Sequence, residues 1–209
     1  MKFHYIQQGS PEWHGLRRGR MTASHGQAIG NCGKGLETYI VKMMAQSYSV
    51  AEPYRFSNEH TDRGHEREPL ARTIYEMQTG FVLEEIGFIE RDEFTGCSPD
   101  GIMPAQKRGA EFKCESDEKF FHQLYFGEKA IDSAYIWQCQ MSMLITGFEV
   151  WDHVAYNPNF KQSLIITSIY PDPVKFAALE KGISAGTSLI KAIKAKLHDK
   201  LSQPIQFQA

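Results

Sequence analysis

The stretch CSPDGIMPAQKRGAEFKC, residues 97–114, places three charged side chains in two segments that otherwise have the composition of strands. Asp100 lies at the end of the first segment, and Glu111 and Lys113 lie in the second. Because side chains two residues apart share a face of a strand, Glu111 and Lys113 point the same way and Phe112 packs on the other side. If the two segments pair as a hairpin, Asp100 lies opposite Glu111.

Two carboxylates beside a lysine predict a site for a hard cation. Asp100 and Glu111 supply carboxylate oxygens, and the backbone carbonyl of Phe112 adds a third ligand of the kind that Mg²⁺ or Mn²⁺ prefers. A metal-bound water loses its proton more easily than bulk water, and Lys113 would orient that water or accept its proton. The alternative is a surface strand with a Glu–Lys ion pair worth about 0–1 kcal/mol.

Length and composition favour one domain spanning residues 1–209, since 42% of the residues are hydrophobic. The chain starts without an apolar run of signal-peptide length, and no later run approaches a membrane span, so we expect a cytoplasmic protein. The four cysteines lack metal-ligand spacing, which argues against a zinc finger or an iron–sulfur cluster.

The net charge of −2 does not by itself indicate a nucleic-acid-binding protein, but the charges are unevenly distributed. Residues 14–44 contain five basic residues and one acidic residue, whereas residues 52–93 contain five arginines and eleven acidic residues. A basic segment beside an acidic one suits a metal enzyme that binds phosphate groups. Ordinary charged helix surfaces are the alternative.

Hydrophobic periodicity predicts an α/β fold, with a central mixed sheet flanked by helices, helices at the N-terminus and a long C-terminal helix. Helical spacing and capping residues predict helices at 10–19, 22–30, 36–50, 69–80, 133–147 and 172–197. Short apolar runs between turn signals predict strands at 81–92, 97–103, 110–114, 150–157 and 163–170. Proline disfavours a helical conformation in the residue before it, so Pro69 places Glu68 at a helix N-terminus.

Five short motifs resemble those of the phage lambda exonuclease family. The pair Pro99-Asp100 and the triplet Glu111-Phe112-Lys113 match the P-D-(D/E)-x-K signature of restriction-endonuclease-like nucleases. The five motifs follow one another in the order found in that family: PEWHGLRRGRMTAS, RGHEREPLARTIYE, TGCSPDG, EFKC and SAYIWQCQMSMLITG. The resemblance covers roughly residues 11–156 and implies a restriction-endonuclease-like core.

The resemblance implies a Mg²⁺-dependent 5′-to-3′ exonuclease that acts on double-stranded DNA. Such an enzyme releases 5′-mononucleotides and leaves a 3′ single-stranded tail for annealing-based recombination of the phage or prophage type. The resemblance also implies one or two Mg²⁺ ions per active site, which Mn²⁺ can replace, and 5′-phosphorylated duplex ends as substrate. A homotrimeric ring, a single-strand annealing protein as partner and a bacterial cytoplasm are also implied. An endonuclease on the same core and a non-catalytic DNA-binding or assembly protein stay open as alternatives.

The family's metal-site residues map onto this chain one by one. The aspartate and glutamate of the signature bind divalent metal, which implies Asp100 and Glu111 as ligands. The signature lysine acts on the attacking water, which implies that role for Lys113. The glutamate of a G-x-x-x-E motif also contributes to the metal site and matches Glu68, with Glu66 as the alternative assignment.

Three further residues follow from the resemblance. The active-site glutamine of the A-Y-x-x-Q-x-Q helix matches Gln138, which we prefer to Gln140 because it starts the matching Q-x-Q. The W-H-x-L-R and T-A-S motifs are associated with binding of the DNA 5′-phosphate, which implies Arg17 and Ser24. A guanidinium fork and a hydroxyl at a helix start suit an anion, although Ser24 as a simple N-cap is the alternative.

Overall fold

The structure, a computed structural model, describes residues 1–50 and 59–201, and describes side chains in these ranges except at 59–66 and 199–201. The helices in this part of the chain are α1 (Pro11–Arg17), α2 (Gly26–Asn31), α3 (Lys34–Tyr48), α4 (Glu59–Thr79), α5 (Asp117–Phe126), α6 (Ser133–Thr146) and α7 (Pro173–Leu201). The strands are β1 (Lys2–His4), β2 (Met21–Thr22), β3 (Phe88–Asp92), β4 (Thr95–Cys97), β5 (Gly101–Met103), β6 (Arg108–Cys114), β7 (Val150–Tyr156) and β8 (Leu164–Ile169).

The strands form two mixed sheets. Their spatial orders are β1-β3-β4-β2 and β5-β6-β7-β8. The pairs β2–β4 and β6–β7 are parallel and the other pairs are antiparallel. The α/β class and the long C-terminal helix are confirmed, but strands expected in one central sheet are divided between two. The division falls at Ser98-Pro99-Asp100, where proline has no N–H with which to continue a ladder.

The predicted hairpin forms between β5 and β6. Gly101 pairs with Ala110 in antiparallel register, so Asp100 and Glu111 are the residues next to this pair on the two strands. Phe112 is buried, as the two-residue alternation predicts. This hairpin positions the charged side chains identified in the sequence.

Helix α4 packs on this hairpin through Tyr75. The Tyr75 ring meets the Phe112 ring edge-on, with centroids 5.6 Å apart, and its hydroxyl donates to Asp152 Oδ2 at 2.6 Å in β7. Glu68 lies seven residues, or about two turns, earlier and therefore on the same face of α4. The packing of Tyr75 thus directs the helix face that carries Glu68 toward β6.

The prediction that Glu68 begins a helix is wrong. Helix α4 starts at Glu59 and continues through Pro69. Proline removes one N–H from a helix and disfavours the conformation of its neighbour, but these are local preferences. On the C-terminal side of Pro69, the buried residues Ala71 and Tyr75 hold the helix in place.

Two other segments differ from the predictions. Residues 81–87, expected to be the first part of a strand, form only the isolated bridge between Glu84 and Ile102. Helix α5 was not predicted, although Ser116 caps it and Asp117 and Glu118 occupy its first turn. In the described ranges, no helix has the length and apolar character needed to cross a membrane.

Candidate active site

The hairpin brings together the three residues of the predicted signature. The backbone N–H of Phe112 donates to Asp100 Oδ2 at 2.7 Å. Lys113 Nζ donates to Glu111 Oε1 at 2.7 Å, and both side chains are largely buried. Asp100, Glu111 and Lys113 therefore occupy one notch at the edge of the second sheet.

The notch carries an excess of negative charge. Burial raises the pKa of Asp100 well above its usual value, and the charges of Glu111 and Glu68 raise that pKa further. Lys113 and the Phe112 N–H act in the opposite direction without cancelling the effect. The three carboxylates of the notch, Asp100, Glu111 and Glu68, therefore outnumber the single ammonium group of Lys113.

Glu111 is the carboxylate that most needs a further partner. Glu111 is 4% exposed, and its Oε2 atom has no hydrogen-bond partner among the described residues. An ionised oxygen in such a place is costly unless a cation or donor reaches it.

A divalent cation fits this donor set. Within the described residues, no group of three or more His, Cys, Asp and Glu side chains forms a metal cluster. A cation at this notch would use Glu111 Oε2, a carboxylate oxygen of Asp100, the Phe112 carbonyl and water. Mg²⁺ in proteins is usually coordinated by only one or two carboxylates and keeps several of its waters.

The two glutamines of α6 have different partners. Gln138 Nε2 donates to Glu111 Oε1, the oxygen that Lys113 also contacts. Gln140 is used elsewhere, because its Nε2 donates to the Tyr170 carbonyl at 2.7 Å and its Oε1 accepts from the Asp172 N–H at 2.9 Å. Of the pair, Gln138 is the one that reaches the notch.

Helix α4 contributes Glu68 and Arg72. Glu68 lies close enough for its charge to raise the pKa of Asp100, whereas the side chain of Glu66 lies outside the described residues. Arg72, one turn after Glu68, donates to the backbone carbonyl of Asp100. Arg72 was missed in the sequence, although its spacing of four residues from Glu68 put it on the same helix face.

Arg17 reaches the same region from α1. Its Nη1 donates to Ser98 Oγ at 2.9 Å, and its guanidinium lies 4.3 Å from the centroid of the Trp13 ring. Burial lowers the pKa of Arg17, and the charge of Glu111 is among the influences that raise it. Ser98 was also missed, although it directly precedes Pro99-Asp100. Arg17 and Ser98 thus place a guanidinium and a hydroxyl beside the carboxylates.

Ser24 lies at the start of the next helical segment, where it does not act as a cap. Its hydroxyl lies 3.2 Å from Thr22 Oγ1 and 3.3 Å from His25 Nδ1. Burial lowers the pKa of His25, and the charges of Arg17 and Lys42 lower it further. Ser24 is exposed beside these positive groups, but its described hydrogen bonds do not include Arg17.

Residues 12–149 match the family model of the YqaJ-like viral recombinase domain, over well more than half of the chain. The chain belongs to this family. A search of curated proteins found no significant match.

Solved structures share the fold of this YqaJ-like domain. An alkaline exonuclease (LHK-Exo) from Laribacter hongkongensis superposes with a TM-score of 0.83 at 26% identity, over 92% of this chain and 98% of that chain. LHK-Exo in complex with dAMP gives 0.82 at 27% identity, with the same coverage. A phage related exonuclease from Haemophilus somnus 129PT gives 0.65 at 17% identity, over 88% and 99% of the two chains, and shows the fold alone.

Proposed function

We propose that this YqaJ-like chain is a Mg²⁺-dependent 5′-to-3′ exonuclease of double-stranded DNA that releases 5′-mononucleotides and leaves a 3′ single-stranded tail. The family and the likeness to an alkaline exonuclease support a DNA exonuclease. The observation that carries the chemistry is the buried, unpaired Oε2 of Glu111 beside Asp100. A phosphate-bound cation would satisfy both.

Asp100, Glu111 and the Phe112 carbonyl would hold the cation, with Glu68 adding negative charge. The bound ion would lower the pKa of a coordinated water and stabilise charge on the scissile phosphate. Gln138 keeps Glu111 Oε1 occupied, so that Oε2 is the oxygen left for the metal.

Lys113 is assigned to orienting the attacking water. Burial lowers the pKa of Lys113, but the carboxylates of Glu111 and Asp100 outweigh burial and raise it above the usual value. The ammonium group therefore stays protonated in the metal-free site, which favours a hydrogen-bond donor over a proton acceptor.

Arg17 and Ser98 would bind the terminal 5′-phosphate, with Ser24 as a further contact. A guanidinium matches the geometry of a phosphate, and the guanidinium of Arg17 is partly shielded from solvent, which strengthens its interaction with an anion. Recognition of this phosphate would set the polarity of digestion. One or two metal ions per site, a homotrimeric ring and a single-strand annealing partner belong to the same proposal by family resemblance.

Digestion of linear duplex, with and without 5′-phosphates, in Mg²⁺ or EDTA tests the proposal. We expect Mg²⁺-dependent shortening of the 5′-ended strands, faster with 5′-phosphate and abolished by Asp100→Ala. Cleavage of a closed circular duplex would instead favour the endonuclease. Absence of cleavage at every Mg²⁺ and Mn²⁺ concentration would favour the non-catalytic alternative.

A further inference from the structure

A cavity of about 390 Å³ lies beside the candidate active site, lined by residues of α5, α6 and β7. A second cleft of about 360 Å³ includes Lys113 and shares Glu115, Lys119 and Tyr135 with the cavity. The two spaces are therefore neighbours, and the cavity lies on the lysine side of the notch.

Two deeply buried side chains in the cavity wall have polar atoms without partners in the part of the chain that the structure describes. Gln123 is 4% exposed and its Nε2 has no hydrogen-bond partner. His153 is fully buried, and neither ring nitrogen has a partner. Buried polar groups in proteins are almost always paired, and leaving them unpaired is unfavourable. Their concentration in one cavity wall indicates a ligand with complementary polar atoms.

The polar groups of the wall suit a nucleobase. The Gln123 amide donates, and a neutral imidazole at His153 offers one donor and one acceptor. The edges of nucleobases present mixed donors and acceptors of this kind.

The charge of the cavity is unsuited to a phosphate. Glu115, Glu118 and Asp132 line it, against Lys119 as the fixed positive charge. Carboxylates repel a phosphate but accept hydrogen bonds from exocyclic amino groups. The phosphate of a bound nucleotide would therefore lie at the notch and its base in the cavity.

Tyr135 connects the two positions. Lys113 Nζ lies 4.8 Å from the centroid of the Tyr135 ring, and the His153 ring lies 5.5 Å from it, centroid to centroid. A single nucleotide has a phosphate at one end and a base at the other, so it can bridge positions separated by one aromatic ring. We infer that the cavity lined by Gln123 and His153 binds the base of the nucleotide whose phosphate is at Lys113. This inference rests on the proposed nuclease function.

Calorimetric titration of the full chain in Mg²⁺ with dAMP and with 2-deoxyribose 5-phosphate tests the inference, because the probes differ only in the base. We expect the parent to bind dAMP roughly tenfold more tightly or better, as a set of satisfied buried hydrogen bonds would give. Gln123→Met, which keeps the side-chain length but removes the amide, should lose most of this preference. Gln78→Met, the same change at an exposed position of α4, should retain it.

The fold of Gln123→Met should be intact, because the substitution removes an amide nitrogen that has no partner, and its melting temperature checks this. Equal affinity of the parent for both probes, or no binding of either, would overturn the inference and leave water as the occupant of the cavity. Retention of the preference in Gln123→Met would also overturn it. Duplex digestion by the parent is scored separately: no digestion would contradict the proposed function, whereas digestion without a base preference would contradict only the cavity assignment.

Discussion

Gln138 Nε2 and Lys113 Nζ donate to the same oxygen of Glu111, and its other oxygen, Oε2, has no partner in the described part of the chain. The arrangement orients the carboxylate and leaves one oxygen available for the proposed cation. Mutation of a group that orients a metal ligand typically lowers metal affinity or activity about 10–100-fold.

Gln138→Met should lower kcat on linear duplex about 10–100-fold, because Glu111 loses an orienting donor. Gln140→Met is the matched control on the same helix. It removes hydrogen bonds to Tyr170 and Asp172, so it should lower the melting temperature while leaving kcat nearly unchanged. Equal loss of kcat in both variants would show that Gln138 acts only through the fold.

Arg17→Met should remove the preference for 5′-phosphorylated over 5′-hydroxyl ends, reducing the ratio of kcat/KM about tenfold or more, because a charge-assisted contact to phosphate is lost. Arg18→Met is the control. Arg18 is directed instead to the backbone carbonyl of Ser49, at 2.9 Å. A preserved ratio in Arg17→Met would contradict the assignment of the phosphate site.

Metal-free stability should depend on pH through Asp100. Its pKa is raised on folding, so the folded state holds the proton more tightly, and this contribution to stability is lost as pH rises from the unfolded value of about 3.9 through the folded pKa. In EDTA at pH 8, Asp100→Asn should therefore melt at a higher temperature than the parent. The difference should disappear below about pH 4, where the aspartate is protonated in both states. Thermal melts across pH measure this, and a lower melting temperature of Asp100→Asn at pH 8 would contradict it.

Arg72→Met should weaken Mg²⁺ activation about 10–100-fold, because Arg72 joins α4 to the backbone at Asp100. The measurement is the Mg²⁺ concentration that gives half-maximal digestion. Arg91→Met is the control, since Arg91 pairs with Glu180 at 2.6 Å on α7. We expect the Arg72 variant to recover its rate at high Mg²⁺, and a rate that stays low at every Mg²⁺ concentration would contradict this role.

The central hairpin could be predicted because its signal is local. A two-residue alternation places Glu111 and Lys113 on one face, and pairing of the two neighbouring segments sets Asp100 beside Glu111, which is the register that the structure has. Ser98 and Arg72 could not be identified by the same reasoning. Their partners are Arg17, 81 residues away, and the carbonyl of Asp100, 28 residues away.

The same distinction explains the errors in the fold. Whether the strands join one sheet or two depends on which strands pair across the fold, and the sequence of residues 97–103 alone does not specify those partners. Helix α4 continues through Pro69, so the local effect of that proline does not determine where the helix starts. The local geometry of the hairpin was therefore predictable, and the arrangement of elements was predictable only in class.

The proposed nuclease chemistry depends most directly on Glu111 as a ligand of the catalytic cation. The decisive measurement is the rate of digestion of 5′-phosphorylated linear duplex in Mg²⁺ by the parent, by Glu111→Gln and by Glu149→Gln. Glu149 is the control because it is an exposed glutamate that pairs with Lys107. We predict parent-like rates for Glu149→Gln, a loss of at least about 100-fold for Glu111→Gln, and no digestion by any of them in EDTA. Parent-like digestion by Glu111→Gln, or digestion that persists in EDTA, would contradict it.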